Sequence, residues 1–320
     1  MVRVNGNEEV LVVLMTYGSP STLDDVPDYL RNVRGGREPD AALIEEFRRR
    51  YRIIGGSPLL RITREQAACL EKELDTLDDG RSYRVAAGMK FSPPLISEVV
   101  RAEAPISGRV VGIVMSPQFS PIIMGSYVRA LEEAVAGLGR NRLSIRTVED
   151  WHLEHHFLEA LAQRVREAIS RMPPDVMNTV PVLFTAHSMP KRVVEREPGY
   201  LKQLLETAEA VAGIAGLSPG RWRFCYQSAG HTPEEWLKPD MADVMPELRK
   251  AGHGQVLIAP VQFLADHLEV LYDIEIGARE QAERAGIKLA RIESLNASPV
   301  FIKALSTIVQ GALAQSSSAP

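Results

Sequence analysis

Cysteine is nearly absent: the 320-residue sequence holds two, Cys69 and Cys225, far apart in the chain. Two thiols build neither a disulfide framework nor a four-cysteine metal or iron–sulfur site, so both are expected as reduced core thiols. Long apolar runs are missing too. Nothing approaches the ~20 residues that span a bilayer, and the start Met1-Val-Arg-Val-Asn-Gly has no basic region followed by an apolar core. A cytoplasmic protein without a membrane anchor is the expectation. Charge of one sign is not concentrated either, because 37 Lys and Arg face 41 Asp and Glu for a net −4. Without a clustered basic patch a nucleic-acid partner is excluded. There is also no Gly-x-Gly-x-x-Gly and no phosphate loop with Gly-Lys-Ser/Thr, so the common nucleotide sites lack their backbone cradle.

What is present is alternation. Apolar, β-rich runs at about 9–15, 83–89, 109–115 and 143–149 are separated by helical patterns, one of them from about Thr63, a plausible N-cap, to Leu77. After a helical segment from His156 to Met172 and the pair Pro173-Pro174 the pattern begins again. Strands are expected at 180–186, 222–227, 255–261 and 286–293, and helices at about 200–214, 241–250, 266–285 and 298–313. The fold class is therefore α/β, with two Rossmann-like domains, 1–155 and 156–320, each a mostly parallel sheet flanked by helices. The two are related by a pseudo-twofold repeat. Leu14-Met-Thr-Tyr17-Gly-Ser-Pro20 aligns with Phe184-Thr-Ala-His187-Ser-Met-Pro190, and the run through Gln118 aligns with the run through Gln262. Residues 17–63, polar, broken by Gly and Pro and rich in arginine, read as a lip over a crevice.

Chemistry concentrates at strand ends, where open α/β sheets bind ligands. His187 ends an apolar strand, and the repeat puts Tyr17 at the equivalent place in the first half. Asp266, Glu269 and Asp273 fall at i, i+3 and i+7, which puts three carboxylates on one face of an α-helix. Like charges in a row call for a cation or a proton. An imidazole beside such a face suits the handling of metal ions and protons. Other signals are set aside. Gly216-Leu-Ser218-Pro-Gly220 has the spacing of a nucleophile elbow but precedes a strand instead of following one. His152, His155 and His156 read as a solvated helix start.

These residues resemble the ferrochelatases, which insert ferrous iron into a porphyrin. The resemblance runs from about residue 9 to about 313 and is carried by three stretches. They are Thr185-Ala-His187-Ser-Met-Pro190, Tyr226-Gln-Ser-Ala-Gly-His-Thr-Pro-Glu-Glu-Trp236-Leu-Lys-Pro239 and Asp266-His-Leu-Glu269-Val-Leu-Tyr-Asp273. Met15-Thr-Tyr17-Gly-Ser-Pro20 narrows it to the bacterial type that acts on coproporphyrin III, in which the matching tyrosine is an axial ligand of the product iron. A protoporphyrin ferrochelatase, a cobalt chelatase and a non-catalytic tetrapyrrole-binding protein are the alternatives.

The resemblance implies His187 and Glu269 as catalytic and metal-holding residues and Tyr17 as an axial ligand. It implies Arg34, Arg50, Tyr51, Ser57 and Tyr127 as contacts to the macrocycle or its propionates, a task for which the arginine fork suits carboxylates. Asp266 and Asp273 would relay protons or metal. Family members often extend the acidic line where this chain has Gly277. Porphyrin and ferrous iron are the implied substrates, with no cofactor, no iron–sulfur cluster, a monomeric state and only transient contact with neighbouring enzymes of haem synthesis.

Overall fold

The computed structural model describes residues 8–229 and 234–315. β1 (Glu8–Thr16) is buried along almost its whole length, as expected for a strand flanked on both sides and covered on both faces. It leads through α1 (Val26–Val33) and α2 (Ala41–Ile53), which form the lip, into α3 (Leu59–Asp75). Then follow β2 (Arg81–Met89), α4 (Ile96–Glu103), β3 (Gly108–Val114), α5 (Pro121–Ala136) and β4 (Leu143–Val148). Connecting helices α6 (His155–Ser170) and α7 (Pro174–Met177) open the second half. It comprises β5 (Val182–His187), α8 (Lys191–Val194), α9 (Pro198–Ile214), β6 (Trp222–Gln227), α10 (Met241–Lys250) and β7 (Gln255–Pro260). A π-helix (Glu269–Ala278), α11 (Arg279–Arg284), β8 (Lys288–Arg291) and α12 (Pro299–Gln315) complete it.

Each half contains one four-stranded sheet, ordered β2-β1-β3-β4 and β6-β5-β7-β8, and every pairing is parallel. The identical order makes β5 the counterpart of β1 and β7 the counterpart of β3, as the sequence repeat requires. Register matters for the site: Thr16 pairs with Met89 and His187 with Gln227, so each central strand ends level with its neighbour.

The expected N-cap Thr63 is not one. Its helix starts a turn earlier, after Pro58, and the buried Thr63 hydroxyl donates to the Leu59 carbonyl within the helix. The apolar residues between 59 and 63 belong to the core, and their burial extends the helix beyond the polar signal.

The halves share one core. A single apolar cluster runs from Val10, Val12 and Leu14 of β1 through Trp151 and Phe157 to Phe184 of β5 and Phe301 of α12. Phe157, Phe184 and Phe301 are fully buried, each worth roughly 1.5–3 kcal/mol. Although α12 closes the second half in sequence, it packs against α3 as well as α6. Glu197, just before α9, accepts a hydrogen bond from the Ile122 amide at 2.9 Å and so ties the second half to the start of α5.

Candidate active site

The carboxyl ends of both sheets open into one cleft of about 800 Å³, within the range of small-molecule sites. Tyr17 and Gly18 after β1, His187 at the end of β5 and Ser228 after β6 line it, and the π-helix contributes Glu269 and Asp273. Gly18 adopts φ +94°, and a Cβ there would lie 2.5 Å from Ser92 Oγ, so only glycine lets the chain turn at this point. That turn delivers Tyr17 to the cleft.

His187 is held from behind. Its amide donates to Gln262 Oε1 at 3.1 Å, and Gln262 Nε2 donates to the Tyr200 hydroxyl at 2.6 Å. In front, Nδ1 lies 2.8 Å from Glu269 Oε2, yet the two atoms are out of hydrogen-bond alignment and neither has another partner. Both side chains sit deep in the molecule but keep 36% and 37% of their surface open to the cleft. Burial would lower the His187 pKa; the adjacent Glu269 carboxylate outweighs it, and the net shift is upward. Burial likewise pushes Glu269 up, but His187 and then His267 carry it below the usual carboxylate range. The pair is biased toward an imidazolium facing a carboxylate.

Asp273 behaves differently. Burial, followed by repulsion from Glu269, raises its pKa despite Arg50 at 3.7 Å and the nearby Ser228. One carboxyl of the cleft is thus held ionised and the next is biased toward its protonated form.

The third carboxylate departs from expectation. Asp266 accepts from Ser294 Oγ at 2.7 Å and Asn296 Nδ2 at 3.1 Å, lies 3.5 Å from Arg291, and does not line the cleft. The physical reason is the π-helix: its wider turn puts Glu269, Asp273 and Gly277 along the wall, and Asp266 precedes it. Of the three expected carboxylates, Glu269 and Asp273 line the cleft.

Five phenols line the cleft, those of Tyr17, Tyr29, Tyr51, Tyr127 and Tyr272. Tyr17 is 46% exposed into it, and burial followed by the Glu269 charge pushes its pKa up to about 12. Tyr51 and Tyr127 also line it, both buried and both shifted upward by that burial. Tyr29, unmarked by any sequence signal, joins them and donates to the Gly18 carbonyl at 3.3 Å. Ser57 lines the cleft too.

Of the two lip arginines expected to contact propionates, Arg50 faces the cleft, pairs with Glu46 at 2.8 Å and lies over the Tyr272 ring at 5.0 Å. Arg34 sits exposed at the end of α1, outside the cleft wall. Gln262 could have been found from its alignment with Gln118, which also bridges the halves by donating to Thr207 Oγ1 at 3.1 Å and to the Val261 carbonyl at 3.4 Å. His152 corrects another expectation. It is buried, with Nδ1 2.6 Å from Asp150 and Nε2 3.1 Å from Glu206, and is no solvated helix start. Part of the stretch from Tyr226 to Pro239 lies outside the described residues; Trp236 within it reaches the cleft.

Among the described residues no group of three or more His, Cys, Asp or Glu gathers to hold a metal. The facing pair in the cleft is His187 Nδ1 and Glu269 Oε2, 2.8 Å apart, and His267, Asp240 and Asp273 line it as well.

Paired parallel sheets of identical order that open into one cleft define a two-domain α/β class of fold. The fold matches CbiX, the terminal enzyme of sirohaem synthesis in denitrifying bacteria, with TM-score 0.55 at 14% identity, covering 95% of this chain and 99% of that one. It also matches SirB from Bacillus subtilis with Fe³⁺, with TM-score 0.56 at 12% identity and 97% coverage of both. Within that class the ferrochelatase family model matches residues 10–313, and the chain belongs to the ferrochelatase family.

A ferrochelatase of Herpetosiphon aurantiacus is 38% identical over 302 residues, 94% of this chain and 98% of the relative. The coproporphyrin III ferrochelatase of Geobacillus kaustophilus is 37% identical over 301 residues, covering 93% and 94%. That of Bacillus subtilis is 36% identical over 302 residues, covering 93% and 96%.

Proposed function

We propose that this ferrochelatase inserts Fe²⁺ into coproporphyrin III to give coproheme. The observation that carries the choice of porphyrin is Tyr17, whose phenol stands in the cleft at the strand end equivalent to that of His187. The relatives named coproporphyrin III ferrochelatases support it. The macrocycle lies between Tyr17 and the His187–Glu269 pair, with propionates toward Arg50, Ser57 and the exposed Arg34 of the lip.

Insertion requires an ion stripped of water and two pyrrole protons removed. Glu269, held ionised, receives the cation. A dication beside it weakens the attraction that keeps His187 protonated, so the imidazole loses its proton and becomes a base or ligand when the metal arrives. Asp273, biased toward its protonated form, passes protons between the pair and the outer cleft. Iron and porphyrin are both substrates and no electron moves, so no cofactor is required.

The proposal includes a cytoplasmic monomer, to be checked by light scattering. Among the described residues no helix is long and apolar enough to cross a membrane. The deciding experiment is spectroscopic insertion of Fe²⁺ into coproporphyrin III and protoporphyrin IX side by side. Faster turnover of protoporphyrin would overturn the substrate assignment.

A further inference from the structure

Tyr17 projects into the cleft from the end of β1, and among the described residues its hydroxyl has no hydrogen-bond partner. A half-exposed phenol on a chain end is free to swing unless something fixes its ring. The group in contact is Phe91, just beyond β2, which does not itself line the cleft. The two ring centroids are 4.6 Å apart with planes at 63°, the edge-to-face arrangement that aromatic quadrupoles favour.

Phe91 is in turn held on several sides. Its amide donates to the Tyr17 carbonyl at 3.1 Å, and the neighbouring Lys90 amide donates to the Thr16 carbonyl at 2.9 Å, which extends the β1–β2 ladder past the strands. Asn32 of α1 donates to the Phe91 carbonyl at 3.1 Å, and the ring packs on the lip cluster of Val26, Tyr29, Leu30 and Tyr51. The Lys90 ammonium lies 4.5 Å from the Phe91 ring centroid and 4.9 Å from that of Tyr127, a cation between two aromatic faces.

We propose that Phe91 is a positioning residue for Tyr17: its ring edge, fixed by Lys90 and the lip, holds the phenol in the orientation from which it ligates the product iron. This rests on the reading of Tyr17 as an iron ligand. Because the lip cluster also bears on Phe91, porphyrin seating and phenol orientation are mechanically joined.

The test uses the full chain loaded with ferric coproheme and compares wild type, Phe91→Leu, Phe91→Tyr and Tyr17→Phe by absorption and resonance Raman spectroscopy, with thermal unfolding of each. Tyr17→Phe comes first. Loss of the phenolate-to-iron bands supports the ligand reading, and an unchanged spectrum overturns that reading by itself.

Phe91→Leu keeps apolar bulk and removes the ring edge, so the ratio of phenolate-ligated to unligated iron is expected to fall roughly two- to tenfold, the range one aromatic edge contact supports. Phe91→Tyr keeps the edge and restores the bands. If Phe91→Leu retains the full phenolate bands while Tyr17→Phe loses them, Phe91 does not position Tyr17. Equal loss in Phe91→Leu and Phe91→Tyr overturns the ring-edge argument as well. A folded Phe91→Leu with wild-type melting and altered bands separates positioning from general destabilisation.

Discussion

At His187 burial and the Glu269 carboxylate oppose each other, and the carboxylate wins, so the pKa lies above the ordinary imidazole value. The base proposed at His187 must be neutral, so insertion is expected to fall away as pH drops through that raised pKa. In Glu269→Gln the larger raising charge is gone, while burial and the smaller contribution of Asp273 remain. The acid limb of the residual activity is therefore expected to move to lower pH, with the overall rate cut by roughly 10²–10⁴-fold, the scale of a lost acid–base group. A pH–rate profile checks this, and an unmoved limb would show that Glu269 does not set the His187 charge.

Asp266 gives the opposite expectation. Asp266→Ala takes an acceptor from Ser294 and Asn296 while Arg291 keeps Glu275 at 2.8 Å, and is expected to cost about 1–3 kcal/mol of stability but to leave the insertion rate unchanged, since Asp266 does not line the cleft. Thermal melts and steady-state rates separate the two effects; a lost rate with an intact fold would return Asp266 to the relay. His187, Glu269 and Tyr17 were legible in the sequence because strand ends and the internal repeat fix where side chains emerge. Tyr29 was not, because its role depends on a contact with the Gly18 carbonyl in another segment, and the repeat marked Gln262 without revealing its bond to Tyr200, 62 residues away.

Among elements, the π-helix was the least legible. Spacing in the sequence admits an α-helix from 266, and only packing against β8 and α11 reveals the wider turn that aligns Glu269 with Asp273 and Gly277. Strands were legible to within two or three residues because parallel, doubly covered strands need continuous apolar runs.

The lip was visible only as composition. In the fold, α2 is latched to the π-helix: Arg49 donates to the Tyr272 hydroxyl at 2.5 Å, and Arg49 and Arg50 lie 5.6 and 5.0 Å from its ring centroid. Since Tyr272 adjoins Asp273, the latch holds the lip against the helix that carries Glu269 and Asp273. Arg49→Ala should speed porphyrin release by less than about tenfold, the ceiling for exposed contacts of this kind, with little change in the insertion step. Stopped-flow fluorescence of bound coproporphyrin measures it, and an unchanged release rate would show that the lip is held by its apolar cluster alone.

For the whole molecule, the placement of α12 decides how the halves share their stability. A chain with two matching sheets invites the expectation of two independent folding units. Yet α12, last in sequence, buries Phe301, Ile302, Leu305, Ile308, Val309 and Leu313, packs against α3 of the first half, and accepts at its Leu313 carbonyl a hydrogen bond from Arg109 of β3 at 3.0 Å. At roughly 1.5–3 kcal/mol per large side chain, an upper estimate, these six contribute about 9–18 kcal/mol, as much as the ~5–15 kcal/mol net stability of a typical domain. Neither half can melt without exposing that surface. The full chain is therefore expected to unfold in one calorimetric transition, and removal of Pro299–Gln315 to prevent folding of both sheets, read as loss of near-ultraviolet signal from Trp151 in the shared core. Two resolved transitions, or a first half that keeps its fold without α12, would show that the shared core does not couple them. One transition makes the cleft a product of the whole chain, because Tyr17 and His187 hold their relative places only while the core between β1 and β5 stays packed.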